Sequence, residues 1–175
     1  MPRLKEFLLL HVIVFLWGFT GIIGKLLHQE PFIIVWYRIL IASIGLLVYL
    51  WFSKASFRLN RSQILPVILV GFAVAMHWIT FYFAIHISTA SLGILCLATT
   101  TVHVVWLEPI LMKTPFQWRK LLFSLLVVAG VAFIARDFKG NVLLATIIGL
   151  MSALLAAVFS VSNAKLSQTI PSPIL

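Results

Sequence analysis

Long apolar runs alternate with short basic or polar stretches along the whole chain. The runs cover Phe7–Leu27, Phe32–Phe52, Gln63–His86, Ser88–Met112, Phe116–Ala135 and Val142–Leu166. Each is about 20 residues long, and at about 1.5 Å of rise per residue that is enough helix to cross about 30 Å of hydrocarbon. Alternation with a period of two is absent, so a transmembrane barrel fits poorly. The pattern predicts an all-α protein, a polytopic membrane helix bundle of six transmembrane helices. The first run is too long for the apolar core of a signal peptide. Its Gly18, Gly21 and Gly24 form a ridge along which a second helix can approach closely. Pro31 suits the first position of the second helix, where its missing N–H costs nothing. Pro66 is placed in the first turn of the third, and the prolines of TIPSPIL stop the sixth. Pro109 falls inside the fourth run, frees the Val105 carbonyl and predicts a kink.

Polar side chains inside these runs are concentrated between His77 and Pro109, HWITFYFAIHISTASLGILCLATTTVHVVWLEP. Few loop residues separate the two helices of this stretch, so they form an antiparallel pair. Polar groups in hydrocarbon are tolerated where they face protein or a water-filled cavity. The pair is therefore expected to line part of a small-molecule pathway. Cys96, Thr99, Thr100 and His103 share one helical face, and so do Trp78 and Tyr82. Ser152, Ala156, Ser160 and Asn163 are expected to share a face of the sixth helix. The expected substrate-binding wall is Trp17, Arg38, His77, Trp78, Tyr82, Thr99, His103 and Ser152, and the fifth helix, the most apolar, is expected to face lipid or scaffold.

Five positions carry competing readings. Arg38 either snorkels along its stem towards the membrane surface or faces the bundle, where it holds an anionic substrate or closes an outer gate. Glu108 and Pro109 either serve gating and proton or ion coupling, or form a helix end with Glu108 reaching headgroups or Lys113. His77 and His103, with an ordinary pKa of about 6.5, either relay protons or are satisfied interior residues. Neither histidine has a partner ligand at i, i+4, so no metal site is expected. Counting rise along each helix puts Trp17 and Thr99 about 15 Å deep and Arg38 about 10 Å below the outer surface. Glu108 lies near the inner end, so no Arg38–Glu108 ion pair is expected.

Composition sharpens the class. Hydrophobic residues make up 62% of the 175 and charged residues 10%, against about 25% charged in soluble domains. Mean hydropathy is +1.14, which excludes a water-soluble globule. The formal charge of +9 does not signal nucleic acid, because the lysines and arginines are parcelled out between apolar runs. The N-terminus and every second loop hold nine: Arg3, Lys5, Lys54, Arg58, Arg61, Lys113, Arg119, Lys120 and Lys165. The other side holds Lys25, Arg136 and Lys139. The positive-inside rule then places the N-terminus in the cytoplasm. The single Cys96 excludes an intrachain disulfide and is expected to pack. Catalytic and nucleotide-binding signatures are absent, so neither an enzyme nor a cofactor is expected.

The chain resembles the EamA family of the drug/metabolite transporter superfamily, bacterial multi-pass carriers. LWGFTGIIGK, WYRILIA, the His77–Lys113 stretch and QWRKLLFSLLVVAGVAFIA carry the resemblance, and GLMSALLAAVFSVSNAKL is similar to the opening helix of a second repeat. The resemblance implies a first five-helix repeat at 7–135 and the first helix of a second at 142–168. It further implies a ten-helix, inverted-repeat carrier that moves a small organic metabolite or drug-like solute, most readily outward, by alternating access about a midplane site. The location implied is a bacterial-type cytoplasmic (inner) membrane, with a lipid bilayer and a small-molecule substrate as partners. The chain departs from that pattern in stopping one helix into the second repeat. Either a homodimer or a missing C-terminal half would complete it; the alternative is a truncated, non-transporting membrane protein or partner subunit. The loop KTPFQWRK lacks the acidic residue the family often has there, and the first run lacks the glutamate of small multidrug-resistance carriers.

Overall fold

The computed structural model describes residues 4–53, 59–134 and 138–170. Arg3, Lys54, Arg58 and Arg136 of the charge bias, and the prolines at 171 and 173, lie outside the described residues. The helices are α1 (Leu4–Leu26), α2 (Pro31–Ser53), α3 (Arg61–Ile87), α4 (Ala90–Ala98), α5 (Thr100–Met112), α6 (Trp118–Ile134) and α7 (Val142–Leu166). Among the described residues, five segments are long and apolar enough to cross a membrane: α1, α2, α3, α4 with α5, and α7. The sixth expected crossing, α6, has 17 described residues, short of the span the others reach.

The helix starts have local causes. Pro31 opens α2, and the Glu30 carbonyl accepts from Ile33 and Ile34. At α3 the Gln63 side chain reaches back to the Asn60 N–H at 2.9 Å, so the helix begins before Gln63 and Pro66 falls in the second turn. Extension of α1 to Leu4 likewise brings Glu6 into its first turn. Thr89 and Asn141 cap α4 and α7 by accepting from Leu92 and Leu144.

The fourth apolar run does not form one continuous helix. It breaks at Thr99, whose N–H bonds back only three residues to Cys96 and whose hydroxyl also donates to the Cys96 carbonyl, at 2.6 Å. A threonine hydroxyl competing for its own helix ladder bends the helix. Pro109, where the sequence predicts a kink, lies inside α5.

The bundle is built on α3 and α7, its most extensive helix pair, with α4 and α5 also on α7. Ala145, Gly149, Ser152, Ala153, Ala156, Ala157 and Val161 are the buried face of α7. Small residues let helix backbones approach, and in lipid this close packing is a main source of association. Ser160 is exposed, which corrects the expected Ser152–Ser160 face. Each four-residue step overshoots a full turn by about 40°, so two such steps leave the stripe. α1 and α2 pack against α3, with Val35, Phe81, Tyr82 and Ile85 forming a core cluster. Of the three α1 glycines, Gly21 sits against Phe81, Ile85 and Ile94, and Gly24 leaves room that the Tyr82 ring fills. Gly18 faces open space. The outward faces of α1, α2 and α6 are covered with exposed large apolar residues, as lipid contact requires.

One end of the bundle is tied together by hydrogen bonds to main-chain carbonyls. Lys25 donates to the carbonyls of Ile85 (2.9 Å) and Ser88 (2.8 Å), a cation placed on the negative end of α3. The Ser88 hydroxyl donates to the Lys139 carbonyl, and Asn141 N–H to the Ile87 carbonyl. Gly140, at φ 74°, presses on that same carbonyl, where a Cβ would collide.

The seam predicts a contrast between glycines. A Cβ on Gly149 would lie 2.7 Å from the Cys96 Cβ, whereas one on Gly45 would meet nothing. Gly149→Leu is expected to destabilise by about 1–3 kcal/mol through overpacking. Gly45→Leu should behave as wild type. Thermal-shift and size-exclusion profiles in detergent check both, and equal profiles would refute the seam.

Candidate functional site

Two faces of α3 carry the polar interior. On the face towards α7, the His77 ring Nδ1 donates to the Ser152 carbonyl at 2.9 Å, and the Ser152 hydroxyl donates to the His77 carbonyl at 2.9 Å. The carbonyl acceptor requires the proton on Nδ1. Both residues are buried, so this reciprocal pair satisfies polar groups that would otherwise be stranded. Phe81 and Phe159 flank the imidazole, with ring centroids 6.1 and 5.6 Å away.

On the other face, Trp78 and Tyr82 point to α2. The Arg38 guanidinium lies 4.4 Å above the Trp78 ring and donates to the Tyr82 hydroxyl at 2.6 Å. Stacking on an indole face and one strong hydrogen bond hold this cation against α3. Ala42, one turn further along α2, borders cavities on both sides of the stack. One, of about 650 Å³, opens between α1 and α2 and is lined by Thr20, Gly24, Gln29, Ile33, Tyr37, Arg38 and Tyr82 among others. The other, of about 340 Å³, lies between α2, α3 and α7 and is lined by Ser43, Gly71, Val74, Trp78, Phe159 and Asn163 among others. A third, of about 600 Å³, lies where α3, α5 and α7 meet, bordered by Pro66, Leu111, Phe159 and Lys165.

The fold therefore brings together Arg38, Trp78 and Tyr82 beside two cavities, and His77 with Ser152 in the α3–α7 seam. Other residues singled out in the sequence stand apart. Trp17 is 67% exposed on α1. Thr99 spends its hydroxyl within its own helix break. His103 stacks edge-on with Trp106; its two ring nitrogens and the Thr100 hydroxyl are buried without hydrogen-bond partners among the described residues. Glu108 pairs with Lys120 at 2.7 Å, joining α5 to α6, rather than with Lys113. Pro109 follows it within α5, half-buried. Among the described residues no group of three His, Cys, Asp or Glu could hold a metal. Sequence reasoning missed Phe159, which borders two cavities, and did not foresee that Gly24 admits the Tyr82 ring. The glycine spacing marked Gly24 as a contact; nothing in the sequence singled out Phe159.

Removal of the Ser152 hydroxyl tests the buried pair. Ser152→Ala is expected to cost about 1 kcal/mol, the scale of interhelical hydrogen bonds in membranes. It should read out as a lowered midpoint of unfolding in detergent, with an unchanged elution volume. No shift at all would mean the pair contributes nothing.

Comparison with protein families finds a match to the EamA-like transporter family over residues 4–136, a span that includes α1 to α6. Comparisons with curated proteins and with solved structures found no match. A bundle of membrane-length apolar helices, with polar side chains gathered beside internal cavities, accords with that family's work. The chain belongs to the EamA-like transporter family and is a polytopic helical membrane protein of the drug/metabolite type.

Proposed function

We propose that the protein is a secondary transporter that exports a small organic metabolite or drug-like solute by alternating access. The observation that supports this most is the Arg38–Trp78 stack. It lies between a cavity in the half of the bundle containing Leu27 and Ile33 and a cavity in the half containing Val67 and Asn163. A solute held there would need only that contact, and the helices around it, to rearrange for access to pass from one side to the other. α1 and α2 are suited to such movement, since both pack chiefly on α3. Arg38, Trp78 and Tyr82 form the substrate contact in this reading, and His77 with Ser152 fixes the floor. Glu108 and Pro109 belong to a gate at the opposite end, where the Glu108–Lys120 pair ties α5 to α6. α7 takes the place of a second repeat's opening helix, and a second copy or a C-terminal half supplies the facing wall.

We place the protein in a bacterial-type cytoplasmic membrane with the N-terminus inside. Among the described residues, Lys5, Arg61, Lys113, Arg119, Lys120 and Lys165 gather at one end of the bundle, and Lys25 and Lys139 at the other. The more basic end is the cytoplasmic one.

Two measurements test this reading. In a Cys96→Ser background, Gln29→Cys should react with an impermeant maleimide in intact cells. Gln117→Cys should react only after permeabilisation, and the opposite pattern would overturn the orientation. For transport, inside-out vesicles containing the protein should accumulate at least one solute from a labelled panel of amino acids, organic acids and nucleobases. Accumulation should collapse when ion gradients are dissipated. Trp78→Ala should lower it about tenfold at unchanged protein level, the factor expected when an interaction of about 1.4 kcal/mol is lost. Accumulation that needs ATP hydrolysis, or no difference from control vesicles for any solute, would refute secondary transport.

A further inference from the structure

Arg38 has no carboxylate within ion-pair reach among the described residues; the ion pair found there joins Glu108 to Lys120. A guanidinium carries several N–H donors in a rigid fork, and one of them goes to Tyr82. The group is half-buried and borders the 650 Å³ cleft between α1 and α2. Tyr82 is buried and borders the same cleft. Its oxygen accepts from Arg38, which leaves its own proton free to donate, and no acceptor for that proton is found among the described residues. Two donors thus converge on one wall. Much of the remaining wall is apolar, including Ile23, Leu27, Ile33, Ile34 and Ile41. Lys25 lines a separate, smaller pocket that shares Gly24, Gln29, Ile34 and Tyr82 with this cleft.

An unpaired cation away from water is costly, and an anion brought to it offsets that cost. The guanidinium is turned onto α3, which is not the outward path of a snorkelling side chain. Arg38 is seven residues from the Pro31 end of α2 and fifteen from the Ser53 end, about 10 and 22 Å along the helix. A lipid phosphate would have to leave the headgroup layer to reach it, whereas a small free anion would not. The cleft volume suits a drug-sized molecule.

We infer that the cleft between α1 and α2 binds an amphipathic organic carboxylate, with its head on Arg38 and Tyr82 and its apolar body against Ile23, Leu27, Ile33 and Ile41. As a statement about cargo this rests on the transport reading above; as a statement about binding it stands on the cleft.

Binding of radiolabelled 4-phenylbutyrate and of its neutral analogue 4-phenylbutyramide to the protein in phosphatidylcholine nanodiscs tests it. The carboxylate should bind saturably and about tenfold or more tightly than the amide, as a charge-assisted hydrogen bond implies. Arg38→Gln should abolish the preference and Tyr82→Phe should reduce it. Arg38→Lys should keep part of it, because charge remains but the fork and the stacking do not. If Arg38→Gln fails to fold, the two probes on the wild type decide. Equal binding of both probes, or saturable binding of neither, would overturn the inference. Displacement of the probe by phosphatidylglycerol in the nanodisc would also overturn it, by making lipid the occupant. Phenylbutyrate that binds through Arg38 but is not carried by vesicles would leave this site standing and count against transport. Phenylbutyrate carried undiminished by Arg38→Gln would leave transport standing and overturn this site.

Discussion

The close approach of α3 and α7 is the contact on which the rest of the bundle depends. Two helices in lipid gain little from the hydrophobic effect, because lipid tails are as apolar as leucine. What remains is packing at short range and hydrogen bonding across the gap. The α7 stripe of Ala145, Gly149, Ala153 and Ala157 supplies the first, and Ser152 with His77 supplies the second. The two depend on each other. A larger residue at Gly149 would push against Cys96 of α4, and the same displacement would lengthen the hydrogen bonds one turn away.

Once α3 is fixed with His77 towards α7, helix geometry decides what its other side presents. Trp78 and Tyr82 then face α2, and Arg38 meets them there. α1 approaches because Gly24 leaves room for the Tyr82 ring, and its end is fastened by Lys25 on the α3 carbonyls. The helices α1 and α2 therefore touch the core along one side only, with a cleft between them. The core is tightly packed and the periphery is held at few points, a division that suits a machine in which some helices move and others do not.

The break at Thr99 gives the fourth apolar run a similar division. α4 is anchored in the seam through Leu92 and Cys96, while α5 carries Thr100 and His103, which find no hydrogen-bond partner among the described residues, and the ion pair to α6. Groups left without partners at this depth are costly in one conformation and are relieved by a rearrangement that offers water or a partner. Polar strain and the helix break thus sit next to each other along the chain.

Length and hydropathy by themselves determined the class of protein, five of the membrane-length segments, most helix ends and the limits of α7. These properties follow from hydrocarbon thickness and from the need of every main-chain group for a partner, both of which act locally. Family resemblance was legible as well, because the order of apolar runs and of Trp, Arg and Pro positions survives in one dimension. Sequence periodicity placed Trp78 with Tyr82 correctly, since four residues is one turn. Tertiary structure decided the remainder. Whether Ser152 or Ser160 faces the core depends on where the α3 seam falls, which a drifting four-residue spacing does not fix. Arg38 was equally able to reach outward or inward until Trp78 and Tyr82 were brought beside it. Phe159 became a cavity wall only because α7 crosses α3 at that level. Thr99 became a break in the fourth run because its hydroxyl took the Cys96 carbonyl, three residues back. For Ser152, Arg38 and Phe159 the deciding partner is far away in the chain, and only the fold brings it within reach.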